Sequence, residues 1–303
     1  MSVAGEREPG ERVAGGELFR LAAFTTTPDG GNPAGVWIGE ALPDAATMLR
    51  IAGDVGFSET AFIAPVSGKN RTVRYYSPAA EVPFCGHATI AAGVLLGGRD
   101  GDGRYDLESA VGSIAVEVRD RGGMREAALT SVPPRQKPAG DTLLAPTLQC
   151  LGWDADDLDP QIPPVVAFAG SWHLVLAARF AARLDTLDYD FDTLRAIMLG
   201  DELTTIQLVW RENPTVFHSR NPFPVGGIVE DPATGAAAAA LGGYLRDAGL
   251  IEPPVSILIR QGEAMGRPSR ITVEIPATGG IVVRGSAIPT DHPSMLRTSP
   301  LLP

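Results

Sequence analysis

Residues 230–245, EDPATGAAAAALGGYL, set two acids and a proline ahead of a run of the smallest side chains, with no further charge until Arg246. Asp231 can accept hydrogen bonds from the free N–H groups of a following turn, and Pro232, with no N–H to waste, suits a first helical position. The pattern predicts a helix over 232–248. Ala236 to Ala240 favour it, whereas Gly242 and Gly243 each cost about 1 kcal/mol relative to alanine, so the packing must demand a thin rod. A helix apolar on every side is buried, and this one is shorter than the roughly 20 apolar residues that span a bilayer. The expectation is a central helix wrapped by sheet. Its N-terminus either faces a cavity with spare N–H donors and partial positive charge, or is merely capped within the core.

A second stretch, EVPFCGHATIAAGVLLGG over 81–98, repeats the plan: an acid, a proline, a polar turn at Cys85-Gly86-His87, then Ala88 to Leu96 without charge. Aligned on their helix starts, GHATIAAG and TGAAAAAL form only a weak sequence repeat; the shared plan is the stronger sign of two similar halves. A chain of 303 residues accommodates two ordinary domains. The expected division is 17–130 and 139–303, the last segment free to return to the first domain, with the Pro-rich SVPPRQKP (131–138) as linker. The charged, Gly-rich first 16 residues read as a flexible extension. Strand-like runs such as ELFRLAAF, TVRYYS, GSIAVEVRD, VVAFAGSWHLVLAA, TTIQLVW, VSILIRQG and RITVEI alternate with helix signals at 42–56 and 190–200. The fold class is therefore α+β with mixed sheets.

A formal net charge of −11 without a Lys/Arg cluster argues against nucleic acid and against an anionic membrane surface, leaving a small molecule as the expected partner. Two cysteines, Cys85 and Cys150, and no apolar leader predict a reducing cytoplasm and no disulfide framework. No strand is followed by G-x-G-x-x-G or a Walker loop, so no dinucleotide or ATP cofactor is expected.

The chemistry-bearing residues cluster in short motifs. If residues 55–63 form a strand, Val55, Phe57, Glu59, Ala61 and Ile63 share one face. A carboxylate on that apolar face finds a partner, stays protonated, or acts as a general acid/base with its pKa raised by desolvation; at a strand end, or if the alternate face is the buried one, it would instead point to water. His87, at the start of the first thin helix, suits substrate binding or proton relay, or simply caps the helix. Cys85 beside it is a reactive thiol or an inert buried one. With few other histidines and no C-x-x-C, no metal site is expected. The acidic DGDGRYD (100–106) lacks calcium-loop spacing and reads as a turn.

Five motifs, GNPAG (31–35), GFSETAF (56–62), FCGHAT (84–89), GGIVEDPATG (226–235) and QGEAMGRPS (261–269), resemble in order and spacing the PhzF-like phenazine-biosynthesis family, relatives of diaminopimelate epimerase. The resemblance runs from about Leu18 to Ile288. It implies two similar domains, each a curved sheet or barrel around a central helix, an active site in the cleft between them, and a homodimer. By position in the motifs, Glu59 is the implied general acid/base, with His87 and Asp231 lining the site. Gly86 and Gly235 are implied to offer N–H groups to a substrate carboxylate, with Asn32 nearby.

Two departures bear on activity. Ala236 stands where the family usually has serine after DPATG, which removes a hydroxyl from the substrate side. The epimerase relatives place two cysteines across the substrate; Cys85 falls near the first position and the EDPATG segment supplies no second. The expected function is thus a cofactor-independent isomerase that shifts a proton on a small carboxylate or cyclic amino-acid-like metabolite. The alternatives are an epimerase or racemase using Glu59 with Cys85 or Asp231, and a non-catalytic metabolite-binding protein of the same fold.

Overall fold

Both small-residue stretches are helices enclosed by sheet in the computed structural model, which describes residues 10–290. The first half runs β1 (Glu11–Val13), β2 (Gly16–Ala23), β3 (Asn32–Gly39), α1 (Ala45–Val55), β4 (Thr60–Ser67), β5 (Asn70–Tyr76), β6 (Glu81–Val82), α2 (Gly86–Asp100), β7 (Gly103–Ser109), β8 (Gly112–Arg121) and β9 (Met124–Thr130). The second runs β10 (Arg135–Pro138), α3 (Asp141–Leu151), β11 (Val165–Phe168), β12 (Trp172–Ala177), α4 (Phe191–Gly200), β13 (Leu203–Asn213), β14 (Val216–Phe223), β15 (Ile228–Asp231), α5 (Gly235–Asp247), β16 (Val255–Gln261), β17 (Ser269–Ile275) and β18 (Val282–Pro289). The α+β class holds, with parallel and antiparallel pairs mixed in both halves.

Strands β2, β3, β4, β5, β7, β8, β9 and β18 pair in a closed circuit. Helix α2 lies inside it, against β2, β3, β4, β8, β9 and β18. In the second half, β10, β11, β12, β13, β14, β16 and β17 curve in sequence around α5. The C-terminal strand β18 joins the halves: it pairs with β17, with β9, and through Ala287–Pro289 with β2. Sheet interiors this narrow explain the thin helices. A Cβ on Gly93 would stand 2.8 Å from Val116 and 2.9 Å from Ala127, and one on Gly242 2.9 Å from Val273.

Several local expectations shift. Residues 10–16 do not form a free extension: Glu11–Val13 pair with Gly16–Leu18 as a hairpin, while residues 1–9 lie outside the described residues, as do 291–303 at the far end of the second half. The stretch 131–138 ends in β10, whose Arg135–Pro138 pair with β11. Of the 100–106 segment only Gly101 and Asp102 connect elements: Asp100 ends α2, β7 begins at Gly103, and the Asp102 carboxylate accepts from Arg125 and from the Asp120 N–H. Residues 55–63 are not one strand: α1, capped by Asp44, continues to Val55, and β4 starts at Thr60, so strand alternation does not place Glu59.

The start of α5 moves too. Asp231 ends β15, Pro232 precedes the helix, and the N-cap is Thr234. The matching N-cap of α2 is Cys85, so the two helices align Gly86 with Gly235, one residue away from the GHATIAAG/TGAAAAAL alignment.

Candidate active site

Parallel pairing of β3 with β4 brings their N-terminal ends together, with Gly35 opposite Thr60. Asn32 opens β3, and Glu59 precedes β4, its carbonyl accepting the Gly35 N–H at 3.1 Å. The first turn of α2 supplies His87. Its Nε2 lies 3.4 Å from Glu59 Oε2 and 3.4 Å from Ser58 Oγ, and its Nδ1 lies 3.4 Å from Cys85 Sγ. His87 and Cys85 are buried, whereas the Glu59 side chain keeps 18% exposure. Glu59 thus stands at the open side of the group, held by its backbone and by the imidazole rather than by strand alternation.

Asp231 arrives from the other half. Its Oδ1 accepts from Asn32 Nδ2 at 2.8 Å, across 199 positions of sequence, and its Oδ2 accepts from Thr234 Oγ1 at 2.5 Å. Asn32 also donates to the Ala233 carbonyl at 3.0 Å. Burial is the main force on the Asp231 carboxyl and pushes its pKa from 3.8 up to about 6; the Glu59 charge adds to the rise, while His87 and the Thr234 and Asn32 donors oppose it. All of Glu59, His87, Cys85 and Asp231 therefore lie within electrostatic reach of one another.

Neither helix start carries a capping hydroxyl or carboxylate: Cys85 Sγ lies by the His87 ring and the Ala88 N–H, and Thr234 Oγ1 turns away to Asp231. The N–H groups of Gly86, Gly235 and Ala236 stand at these helix starts, where backbone donors and the helix dipole favour an anion. These three residues are partly exposed, so a ligand can approach them.

Glu59, Cys85 and His87 offer an oxygen, a sulfur and a nitrogen within 4.8 Å of one another, the makings of a cation site. Burial, and after it the Glu59 charge, drives the Cys85 thiol well above its usual pKa, and metal binding would have to remove that proton. The same protonation leaves Cys85 a poor base and nucleophile.

Three positioning residues were not singled out from the sequence. Gln261 Nε2 donates to the Asp231 carbonyl at 2.7 Å and its Oε1 accepts the Thr234 N–H at 3.2 Å, fixing the turn into α5. Arg267, itself buried, donates to the Gly30 and Gly31 carbonyls beside Asn32. Ser58 faces His87. All three sit inside the quoted GFSETAF and QGEAMGRPS motifs, where residue type alone gives no role to a glutamine or arginine whose partners are backbone atoms of distant loops.

The family model of the phenazine biosynthesis-like proteins, PhzC-PhzF, matches residues 21–292. An uncharacterized isomerase of Deinococcus radiodurans is 31% identical over 285 residues, covering 91% of this chain and 92% of that one. The trans-2,3-dihydro-3-hydroxyanthranilate isomerase of Pseudomonas chlororaphis is 31% identical over 258 residues, 82% and 86% of the two chains. The crystal structure of a PhzF-family phenazine biosynthesis protein of Bacillus anthracis superposes with a TM-score of 0.80 at 23% identity, covering 90% of this chain and 96% of that one. The chain belongs to the PhzC-PhzF phenazine biosynthesis-like family, and it is an isomerase.

Proposed function

We propose that this isomerase moves a proton between two carbons of a small carboxylate or cyclic amino-acid-like metabolite without a cofactor, and that Glu59 is the base that removes the proton and the acid that returns it. The observation that carries this reading is the pairing of an accessible carboxylate with His87 at 3.4 Å, between two helix starts. A substrate carboxylate bound at the N–H groups of Gly86, Gly235 and Ala236 would hold an adjacent C–H against Glu59. Negative charge develops on the substrate as the proton leaves. The helix starts and an Asp231 carboxyl that stays protonated up to about pH 6 stabilise it by hydrogen bonding and dipole. His87 holds the Glu59 carboxylate and shares its proton traffic.

The protonated, buried Cys85 argues against a thiol base. In this reading the chain works as two halves, about 17–130 and 139–303, with the site between them, in a homodimer, as the family resemblance implies, and in the cytoplasm, as its cysteine usage suggests.

The substrate in the name of the Pseudomonas chlororaphis relative, trans-2,3-dihydro-3-hydroxyanthranilate, is the first compound to assay. Glu59→Gln keeps the shape and removes the base, and positioned proton transfer contributes about 10²–10⁴-fold. The expected result is a folded, ligand-binding protein with turnover lower by about two orders of magnitude or more, and in wild type a solvent deuteron at the new C–H. Near-normal turnover in Glu59→Gln would end the assignment, and deuterium at a retained stereocentre with no shifted double bond would identify an epimerase instead.

A further inference from the structure

The contacts of His87 allow a second chemistry besides proton transfer. Its Nε2 stands 3.4 Å from Glu59 Oε2 and 3.8 Å from Cys85 Sγ, while its Nδ1 stands 3.4 Å from the same sulfur. The imidazole–carboxylate separation lies beyond the range of about 2.7–3.2 Å that a good N–H···O bond takes. Around a tetrahedral zinc ion, with bonds of about 2.0 Å to nitrogen and oxygen and about 2.3 Å to sulfur, neighbouring ligand atoms stand roughly 3.3–3.6 Å apart. The spacings at His87 match that shape to within a few tenths of an ångström, and the oxygen, nitrogen and sulfur all lie within 4.8 Å of one another.

The surroundings favour a positive charge. The charges that act most strongly on Cys85 are those of Glu59 and then Asp231, and together with burial they hold the thiol protonated. A divalent cation reverses this. It offsets the Glu59 charge and takes the sulfur as thiolate, whose single proton leaves to solvent. The sulfur is also supported from the protein side. The Ala88 N–H, in the first turn of α2, points to it, and a histidine bound to a metal through Nε2 keeps its proton on Nδ1, here 3.4 Å from Sγ, for an N–H···S bond. Cys85 and His87 are buried, and Glu59, with 18% of its side chain exposed, is the side from which an ion enters.

We propose that Glu59, Cys85 and His87 form an inhibitory site for one thiophilic divalent cation, zinc being the best match, with water at the fourth corner. Sulfur and imidazole ligands select borderline cations over magnesium and calcium, which take shells of oxygen. Binding depends on the three side chains alone, whereas inhibition rests on the proposed role of Glu59. A carboxylate held by zinc is too weak a base to take a proton from carbon, and the ion stands where the substrate C–H would approach.

Cobalt(II) is the spectroscopic probe and zinc the competing ion, each titrated into the full chain after treatment with a chelator. Wild type is expected to bind one cobalt per chain, with the intense visible bands of a tetrahedral site and a near-ultraviolet sulfur-to-cobalt charge-transfer band, both removed by an equivalent of zinc. Cys85→Ser should lose the charge-transfer band and bind zinc at least about tenfold more weakly. Glu59→Gln should keep the band with a similar loss of affinity, and Cys150→Ser should match wild type. Thermal unfolding checks that each variant is folded: zinc should raise the unfolding temperature of wild type and of Cys150→Ser but not that of Cys85→Ser. In the isomerisation assay, zinc-loaded wild type should be inactive and recover with excess chelator. No uptake of either ion, cobalt bound without a sulfur ligand, or a charge-transfer band that survives in Cys85→Ser and vanishes in Cys150→Ser overturns the site and leaves Glu59 as the base. Full turnover by zinc-loaded wild type overturns the inhibition and the role of Glu59 together.

Discussion

Replacing Asp231 by asparagine separates what the fold gains from this residue from what the site uses. The carboxyl is pushed from 3.8 to about 6, chiefly by burial, with Glu59 raising it further and His87, Thr234 and Asn32 opposing. Below about pH 3.8 folded and unfolded chains both hold the proton. Between there and about pH 6 the unfolded chain releases it while the folded one keeps it, so stability falls as pH rises, and the loss is complete once the folded carboxyl has ionised. A shift of roughly two units corresponds to about 3 kcal/mol at 1.36 kcal/mol per unit. The residue is 7% exposed, so solvent screening takes little from this figure. The amide that replaces the carboxyl in Asp231→Asn does not titrate. It keeps the bond from Asn32 and loses the one from the Thr234 hydroxyl, an offset of about 1 kcal/mol that does not vary with pH. Urea unfolding of both proteins between about pH 4 and 8 should therefore show the stability of Asp231→Asn, relative to wild type, rising by about 3 kcal/mol across that range. Turnover should fall in the same variant. Parallel stability profiles would refute the claim that Asp231 is a buried carboxyl ionising at a cost.

Ala236→Ser, at the partly exposed first turn of α5, should leave stability within about 0.5 kcal/mol and change rate or preference among accepted substrates; unchanged kinetics on all of them would place residue 236 outside the ligand's reach. Cys85→Ala should retain turnover within a few-fold, and iodoacetamide should modify wild-type Cys85 far more slowly than a free thiol at about pH 8, because the buried thiol stays protonated; rapid alkylation with loss of activity would contradict this. Gly53, in α1, where an added methyl group would meet nothing within 4 Å, and Gly93, enclosed by Val116 and Ala127, make a matched pair. Gly53→Ala should stabilise by about 0.5–1 kcal/mol through helix propensity, and Gly93→Ala should destabilise by about 1–3 kcal/mol through overpacking; two variants moving the same way by thermal unfolding would show that barrel width does not set the size of these residues.

Much of this architecture is written locally. The charge-free runs after Cys85 and Thr234 dictate buried helices whatever surrounds them, and Asp44 and Gly56 bound α1 because cap chemistry acts over three or four residues. The short motifs also name Glu59, His87, Asn32 and Asp231 without any structure. What sequence pattern misses is set by partners far away. Asp231 resembles a helix cap, yet its oxygens are taken by Asn32 and Thr234, and the helix begins three residues later than a proline signal suggests. Glu59 reads as the inward face of a strand; α1 instead runs on to Val55, and only the pairing of Gly35 with Glu59 and Thr60 sets the carboxylate beside His87. Gln207 on β13 and Asn221 on β14, both fully buried, carry no local signal, since an amide in a strand reads as surface until the register places it inside. Helix propensity, capping and charge act between neighbours in sequence and are fixed by the chain alone. Strand register, and with it the meeting of Asn32 with Asp231 across 199 positions, depends on which distant surfaces bury together, and only the tertiary structure decides that.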